Sequence, residues 1–387
     1  MRTGAVFPWR SGNRFDLLVD GGEFFPRMLA AIEAAERQIE LELYLIEDGY
    51  CATRLIDALA AAARRGVRVR CLLDGFGSMK LGVMLRTRLT DAGATLALYN
   101  PLHWRLGLRN LHRDHRKLLL VDDRLGYVGG AGATDLFWAP DAGGQDVWHE
   151  VMVEIRGPLI ADWRSLFEYQ WRLCRERRLW LRPRSPKPPR IPPSPPLGEG
   201  MGRVAYAAAR QHRDILRALI RSLSQARERI WLATPYFLPT WKVRRALLKA
   251  ARRGVEVRLL LASHNTDHPP TRYAAQRYYR RLLHGGVRIF EYQPTFLHLK
   301  MVLVDDWVSV GSCNFDHWNL RWNLEANLEA LDPAFTRAVA ESFESDFLQG
   351  LEIGLATWQA RPWYRRLYQH LWGWLDQLMV NLLNSRQ

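Results

Sequence analysis

Four cysteines occur in 387 residues: Cys51, Cys71, Cys174 and Cys313. Their scatter excludes the paired spacings of a metal or redox site and predicts a reduced, cytosolic compartment. No apolar run reaches the ~18–20 residues that cross a bilayer. Met1–Trp9 carries one arginine and no long apolar stretch, which predicts a chain without a secretory leader. Lysine is scarce as well, at six of the 55 basic residues. In a chain that otherwise spends arginine, a retained lysine marks a place where a compact ammonium is useful.

What is present is ordinary for a folded protein: 48% hydrophobic and 25% charged residues, which excludes wholesale disorder. The length suggests two domains or three. The formal net charge of +15 favours an anionic partner, either nucleic acid or the face of an acidic membrane. A high-GC genome that writes arginine freely gives the same charge without any such partner.

The chain repeats itself. Ala63-Arg64-Arg65-Gly66-Val67 recurs as Ala251-Arg252-Arg253-Gly254-Val255. Helical patterns lead into both (Arg54–Ala63, Val243–Ala251), and strand-like runs follow (Val67–Leu73, Val255–Leu261). Upstream, Ile39–Ile46 and Ile230–Phe237 read as strands behind helical patterns at Pro26–Arg37 and Ile215–Glu228. Each half therefore reads α-β-α-β, an α/β fold with parallel strands and helices on the faces. Boundaries are expected at 1–181 for the first domain, 182–202 for a linker, 203–350 for the second domain and 351–387 for a C-terminal region. The stretch Arg182–Gly202 is too rich in proline for helix or central strand and reads as an extended, exposed linker or a docking peptide. From Trp363 to Leu382 apolar residues recur at helical spacing, with Arg361, Arg365 and Arg366 at the start. Such a helix lies in a membrane interface or packs on protein.

The chemistry sits in a motif that occurs twice: His115-Arg116-Lys117 with Asp122, and His298-Leu299-Lys300 with Asp305. Both read His-x-Lys-x4-Asp and use two of the six lysines. Histidine and lysine two apart on a strand share a face, so a nucleophile or acid stands beside a compact positive charge. That pairing suits attack on phosphorus, and two copies supply one imidazole to attack and one to protonate the leaving group. Asp122 and Asp305 count with the motif's catalytic residues, although their distance along the strand suits anchors for backbone better. Ser312 and Asn314 are candidates for binding phosphate, and Tyr44 and Tyr236 for shaping the mouth of the site. Glu325 can orient a catalytic histidine, and Glu150 is the carboxylate expected to serve the first half. Gly132 stands where Asn314 would align, so the site is not symmetric. The sets His112 with His115, and His264 with Asp267 and His268, lack the company of a strong metal motif, and no metal or other cofactor is expected.

The doubled motif resembles the phospholipase D superfamily over nearly the whole chain. Gly12-Asn13-Arg14 with Leu17-Leu18, Glu42-Leu43-Tyr44 with Glu47-Asp48, and Ala233-Thr234-Pro235-Tyr236-Phe237-Leu238-Pro239 lean toward its bacterial cardiolipin synthase branch, B type. So do Ile289-Phe290-Glu291-Tyr292, Asn314-Phe315-Asp316 and Asn323-Leu324-Glu325-Ala326-Asn327. The resemblance implies two phospholipase D-like α-β-α sandwich domains about a pseudo-two-fold axis, joined by the Pro-rich linker. It implies no metal and a phosphohistidine intermediate, with His115 as nucleophile and His298 as acid and then base. Lys117, Lys300 and Asn314 would hold phosphate oxygens. The implied reaction passes a phosphatidyl group from one phosphatidylglycerol to another. That implies an anionic phospholipid and a membrane surface as partners, no nucleic acid, no obligate protein partner, and a peripheral place on the cytoplasmic face of the bacterial inner membrane. The same motif chemistry also serves a nuclease or a hydrolase, and the glycine at 132 leaves room for an inactive lipid-binding scaffold.

Overall fold

The repeated Ala-Arg-Arg-Gly-Val cassette ends a helix and starts a strand in both halves. Gly66 and Gly254 have φ of 91° and 90°, a left-handed conformation that a side chain disfavours and that closes a helix C-terminus. Val67 N–H donates to Ala62 O (3.1 Å) and Val255 N–H to Ala250 O (3.2 Å), so the chain leaves both helices in the same way. The computed structural model describes residues 7–140, 147–176, 195–208, 212–316 and 322–362, together with 372 and 374.

In the first half the elements are β1 (Arg10–Val19), α1 (Gly21–Glu33), β2 (Gln38–Leu43), α2 (Tyr50–Arg64), β3 (Arg68–Asp74), α3 (Val83–Asp91), β4 (Thr95–Tyr99), a 3-10 segment (Trp104–Leu111), β5 (Leu118–Val121), β6 (Leu125–Gly129), β7 (Val151–Arg156) and α4 (Ile160–Arg175). The second half runs β8 (Gly200–Ala208), β9 (His212–Arg213), α5 (Asp214–Gln225), β10 (Arg229–Thr234), α6 (Trp241–Arg252), β11 (Glu256–Ala262), α7 (Pro269–Gln276), α8 (Tyr279–His284), β12 (Arg288–Tyr292), β13 (Met301–Val304), β14 (Trp307–Gly311) and β15 (Leu324–Leu331). It closes with α9 (Pro333–Leu348), β16 (Gly350–Glu352) and α10 (Leu355–Gln359).

All strands join one 16-stranded sheet. Outward from its centre the first half reads β1-β7-β6-β5-β2-β3-β4 and the second β8-β15-β14-β13-β10-β11-β12, with β16 added at the far edge. The matching orders about the β1–β8 seam are the pseudo-two-fold relation. The strands of the sequence repeat are parallel, β2 with β3 and β10 with β11. The pattern did not disclose that β5, β6, β7 and β1 run antiparallel. Short turns at Asp122–Arg124 and Asp305–Asp306 send the chain straight back from β5 to β6 and from β13 to β14, with Asp122 and Asp305 at φ of 52° and 50°.

Alternation along the strands serves two faces. Val69, Cys71 and Leu73 of β3 pack with α1, α2 and α3 on one face, and α5 to α8 cover the matching face of the second half. The other face is common to both halves: Trp163 and Phe167 of α4 and Phe335 and Phe343 of α9 belong to one apolar cluster that crosses the seam. Asn13 stitches that seam. Fully buried, it donates to Arg10 O (2.7 Å) and Gly200 O (3.3 Å) and accepts from Leu159 N–H (2.9 Å).

The expected linker is shorter at its end than its composition implied. Leu197 N–H donates to Gly12 O (2.9 Å) and β8 starts at Gly200, so this end is exposed yet tied to β1; residues 182–194 lie outside the described residues. The C-terminal region opens on further elements of the second half. Its first residues form β16, which pairs β12, and α10, whose Trp358 is buried 4.8 Å from the Tyr279 ring. The amphipathic stretch from Trp363 to Leu382 falls outside the described residues except at 372 and 374.

Candidate active site

Strands β5 and β13 are buried at every position, and each is led in by its His-x-Lys segment, which therefore sits at the carboxyl end of the neighbouring parallel strands. Each segment is held by the opposite half. His115 N–H donates to Leu324 O (3.0 Å), and Leu324 N–H to Arg113 O (2.8 Å). His298 N–H donates to His149 O (2.8 Å), and His149 N–H to Phe296 O (3.0 Å). The regular strands begin after the lysines, at Leu118 and Met301, because pairing across the seam replaces the sheet ladder there.

The orienting carboxylates are exchanged between the halves. Glu150 and Glu325 hold equivalent places at the starts of β7 and β15. Glu325, in the second half, lies 3.1 Å from Nδ1 of His115. Glu150, in the first half, lies 2.6 Å from Nδ1 of His298. The expectation that Glu150 serves its own half is corrected: the seam brings each carboxylate closer to the other half's imidazole than to its own. With Nδ1 donating to carboxylate, Nε2 of His115 keeps its lone pair for chemistry, while Nε2 of His298 lies 3.2 Å from Lys300 Nζ.

The lysines complete the constellation. Lys117 Nζ donates to His115 O (2.7 Å). Lys300 Nζ lies 3.2 Å from Glu150 Oε2 and 2.8 Å from His298 Nδ1. Burial drives Lys117 down to about 7 despite Glu325, and it lowers Lys300 despite Glu150. Burial also lowers both imidazoles, with Glu325 opposing at His115 and Lys300 reinforcing at His298, which falls to about 3. Lys300 depresses His115 and Lys117 depresses His298, so the pairs of the two halves feel each other's charge. The cleft suits an anion: two lysines and two imidazoles, all buried, share it.

The walls differ. Tyr44 packs its ring 4.8 Å from His115 and 5.2 Å from Lys117 Nζ, and burial raises its hydroxyl to about 12, which keeps it a donor. Phe137, Trp148 and Phe296 stand 5.3, 5.1 and 5.8 Å from the His298 ring. Tyr236 touches Phe296, at 6.4 Å, but its hydroxyl is tied to Asp267 at 2.6 Å. Asn314 is buried, and its Oδ1 has no hydrogen-bond partner among the described residues. Ser312 is corrected from phosphate ligand to support, since its hydroxyl donates to Glu325 and accepts from Ala326 N–H.

Asp122 and Asp305 are removed from the catalytic set. Beyond the far ends of β5 and β13, Asp122 accepts the N–H groups of Glu36, Arg37 and Gln38 at 2.8 Å. Asp305 accepts those of Arg227, Glu228 and Arg229 at 2.9–3.0 Å. Each clamps the entry to the adjacent strand. The asymmetry at Gly132 is built into the backbone: a Cβ there would stand 2.7 Å from Leu45 O, and one at Gly130 would stand 2.1 Å from Glu150 Oε2.

Two supports escaped the sequence reading. Asp74, at the end of β3, accepts the N–H groups of Phe76, Gly77 and Asp114 and so fixes the residue before His115. His149 bridges Asp20 Oδ1 (2.8 Å) and Asp346 Oδ1 (3.1 Å). An acid closing a strand and a histidine beside Glu150 were the available signals, but only the folded seam shows their partners.

With this geometry in place, the comparisons with known proteins are specific. The family described as "Cardiolipin synthase, PLD-like domain" matches residues 28–171 and 219–347. The chain is 35% identical over 342 residues to cardiolipin synthase B of Salmonella typhimurium strain LT2, spanning 87% of this chain and 81% of that protein. It is 33% identical to cardiolipin synthase B of Escherichia coli K12, spanning 81% and 75%, and 33% identical to cardiolipin synthase A of Pseudomonas aeruginosa, spanning 94% and 72%. In fold it is similar to the phosphatidylserine synthase of Haemophilus influenzae, with a TM-score of 0.75, 14% identity, and 95% and 94% of the two chains covered.

Proposed function

Because the chain belongs to the cardiolipin synthase family of PLD-like domains, we propose that it condenses two phosphatidylglycerol molecules into cardiolipin and glycerol. The observation that carries this reading is the crossed arrangement of His115–Glu325 and His298–Glu150 with a buried lysine on each side.

His115, neutral and with Nδ1 held by Glu325, attacks the phosphorus of the first phosphatidylglycerol through Nε2. The bond from phosphorus to the headgroup glycerol oxygen breaks, and His298 gives that oxygen its proton. A phosphatidyl group is left on His115. His298 then removes the proton from a headgroup hydroxyl of the second phosphatidylglycerol. That oxygen attacks phosphorus, the P–N bond breaks, and cardiolipin leaves. Lys117, Lys300 and Asn314 hold the phosphoryl oxygens while charge develops on them. The bound phosphodiester brings negative charge beside His298, which raises its proton affinity.

Both substrates keep their acyl chains in a bilayer, so the enzyme works peripherally at an anionic membrane, placed here at the cytoplasmic face of the inner membrane. The net charge of +15 supports this, at ~1 kcal/mol per basic residue near such a surface. Purified protein incubated with phosphatidylglycerol vesicles should form cardiolipin and release glycerol one for one. His115→Ala should abolish both products, and acid-labile phosphate should be trapped on the wild type alone. Formation of phosphatidic acid without cardiolipin would replace this reading with hydrolysis.

A further inference from the structure

Apolar side chains crowd the rim of the cleft instead of the core beneath it. The loop after β3 exposes Phe76 and Met79 (61% exposed), and the start of α3 exposes Val83 (79%) and Met84 (70%). The next connection, from β4 to the first motif, carries the 3-10 segment Trp104–Leu111, in which no residue is buried. Trp104 is 80% exposed, and Leu108 and Leu111 project with it. These connections belong to the site's own surroundings. The first is tied to the backbone beside Tyr44 by Ile46 N–H donating to Gly77 O (3.3 Å). The second is pinned by Asn100 Nδ2 donating to Arg109 O (2.9 Å) and His112 O (2.8 Å), three residues before His115.

The charge on this rim has one sign where it matters. From Asn100 to Arg113 there is no acidic residue, while Arg105 and Arg109 are exposed. The Arg105 guanidinium lies 4.8 Å from the Trp104 ring. The second half repeats the device at the start of α6, where Trp241 is 54% exposed with Arg245 5.0 Å from its ring. Tryptophan backed by arginine suits the headgroup zone of a bilayer, where the ring is half immersed and the cation meets lipid phosphate. An apolar patch held open to water on two rigid connections marks an interaction surface.

We propose that Phe76–Met84 and Trp104–Leu111 form a wedge that enters the outer layer of an anionic bilayer and sets the cleft over the headgroups. This deepens the phosphatidylglycerol reading above and rests on it. Because the wedge leads directly into His112–His115, immersing it brings the first motif down to the depth of lipid phosphate, and a lipid need not leave the bilayer to be attacked.

The test uses the full chain with Trp104→Glu/Leu108→Glu and, independently, Met84→Glu. Each is read by flotation with phosphatidylglycerol vesicles, by turnover on those vesicles, and by turnover of short-chain phosphatidylglycerol below its micelle concentration. Both variants should lose about tenfold or more in vesicle affinity and vesicle turnover, while short-chain turnover stays within about twofold of wild type. Vesicle affinity unchanged in both variants overturns the proposal, and so does a loss of self-association without a loss of vesicle binding, which would assign the patch to a second copy of the chain. Wild type that binds vesicles but makes no cardiolipin would sink the reaction and leave the wedge standing.

Discussion

Glu150 has Oε2 2.6 Å from His298 Nδ1 and 3.2 Å from Lys300 Nζ, whereas Oε2 of Glu325 meets both His115 Nδ1 and the hydroxyl of Ser312. The Lys300 ammonium and the His298 contact outweigh burial and hold Glu150 down to about 2, so it stays charged. Replacing either acid by glutamine removes the charge that steadies an imidazolium and permits the wrong tautomer, which costs ~10²–10⁴ in kcat by analogy with an uncharged triad member. Glu150→Gln also leaves Lys300 buried without the carboxylate it touches, so it should lose the more stability, by about 3–5 kcal/mol with Lys300 charged. Steady-state kinetics with thermal unfolding separates the two. Equal loss of stability in both variants would contradict the difference in their surroundings.

At the scale of elements, the turns that follow β5 and β13 hold the sheet in register. Asp122 binds three consecutive N–H groups at the mouth of β2, and hydrogen bonds to a charged acceptor contribute ~1.5–3 kcal/mol each before allowance for solvent and non-additivity. Asp122→Ala should therefore lower stability by about 2–4 kcal/mol and leave turnover per folded molecule within about twofold of wild type. Chemical denaturation with active-site titration checks both, and a large fall in turnover would return Asp122 to the chemistry. This residue also shows what could be read from sequence. The periodicity of Arg54–Ala63 and the glycine after it announced α2 and β3 within a few residues, since backbone geometry there is local. The His-x-Lys pairs were equally plain. The crossing of Glu150 and Glu325 was not, because it depends on two strands from separate halves meeting at β1 and β8. The anchoring role of Asp122 was legible in its distance from His115, but which N–H groups it binds was not, and the tie of Ser312 to Glu325 was hidden as well.

The whole molecule depends on His149 more than its place beside Glu150 suggested. Its backbone bonds Phe296 and His298 at the entry to the second motif, and its ring joins Asp20 of the first half to Asp346 of α9. Burial opposes its charge, but the two carboxylates overcome this and raise it to about 10 from 6.5. A raised folded value stabilises fully below 6.5, and the benefit is lost as pH climbs through about 10. Wild type should exceed His149→Gln by a few kcal/mol near neutrality, with the gap narrowing steadily toward pH 10 in urea titrations. A gap independent of pH would show that the ring fills space rather than carrying charge. The seam that His149 braces joins halves that do not match, with Gly130 and Gly132 after β6 where Ser312 and Asn314 follow β14. Were the two edges of the cleft copies of one gene product, every mutation would be written into both at once. Fusion into a single polypeptide lifts that constraint: one edge can shed a hydroxyl and an amide while the other keeps them, and selection can fit the two lipids to unlike berths.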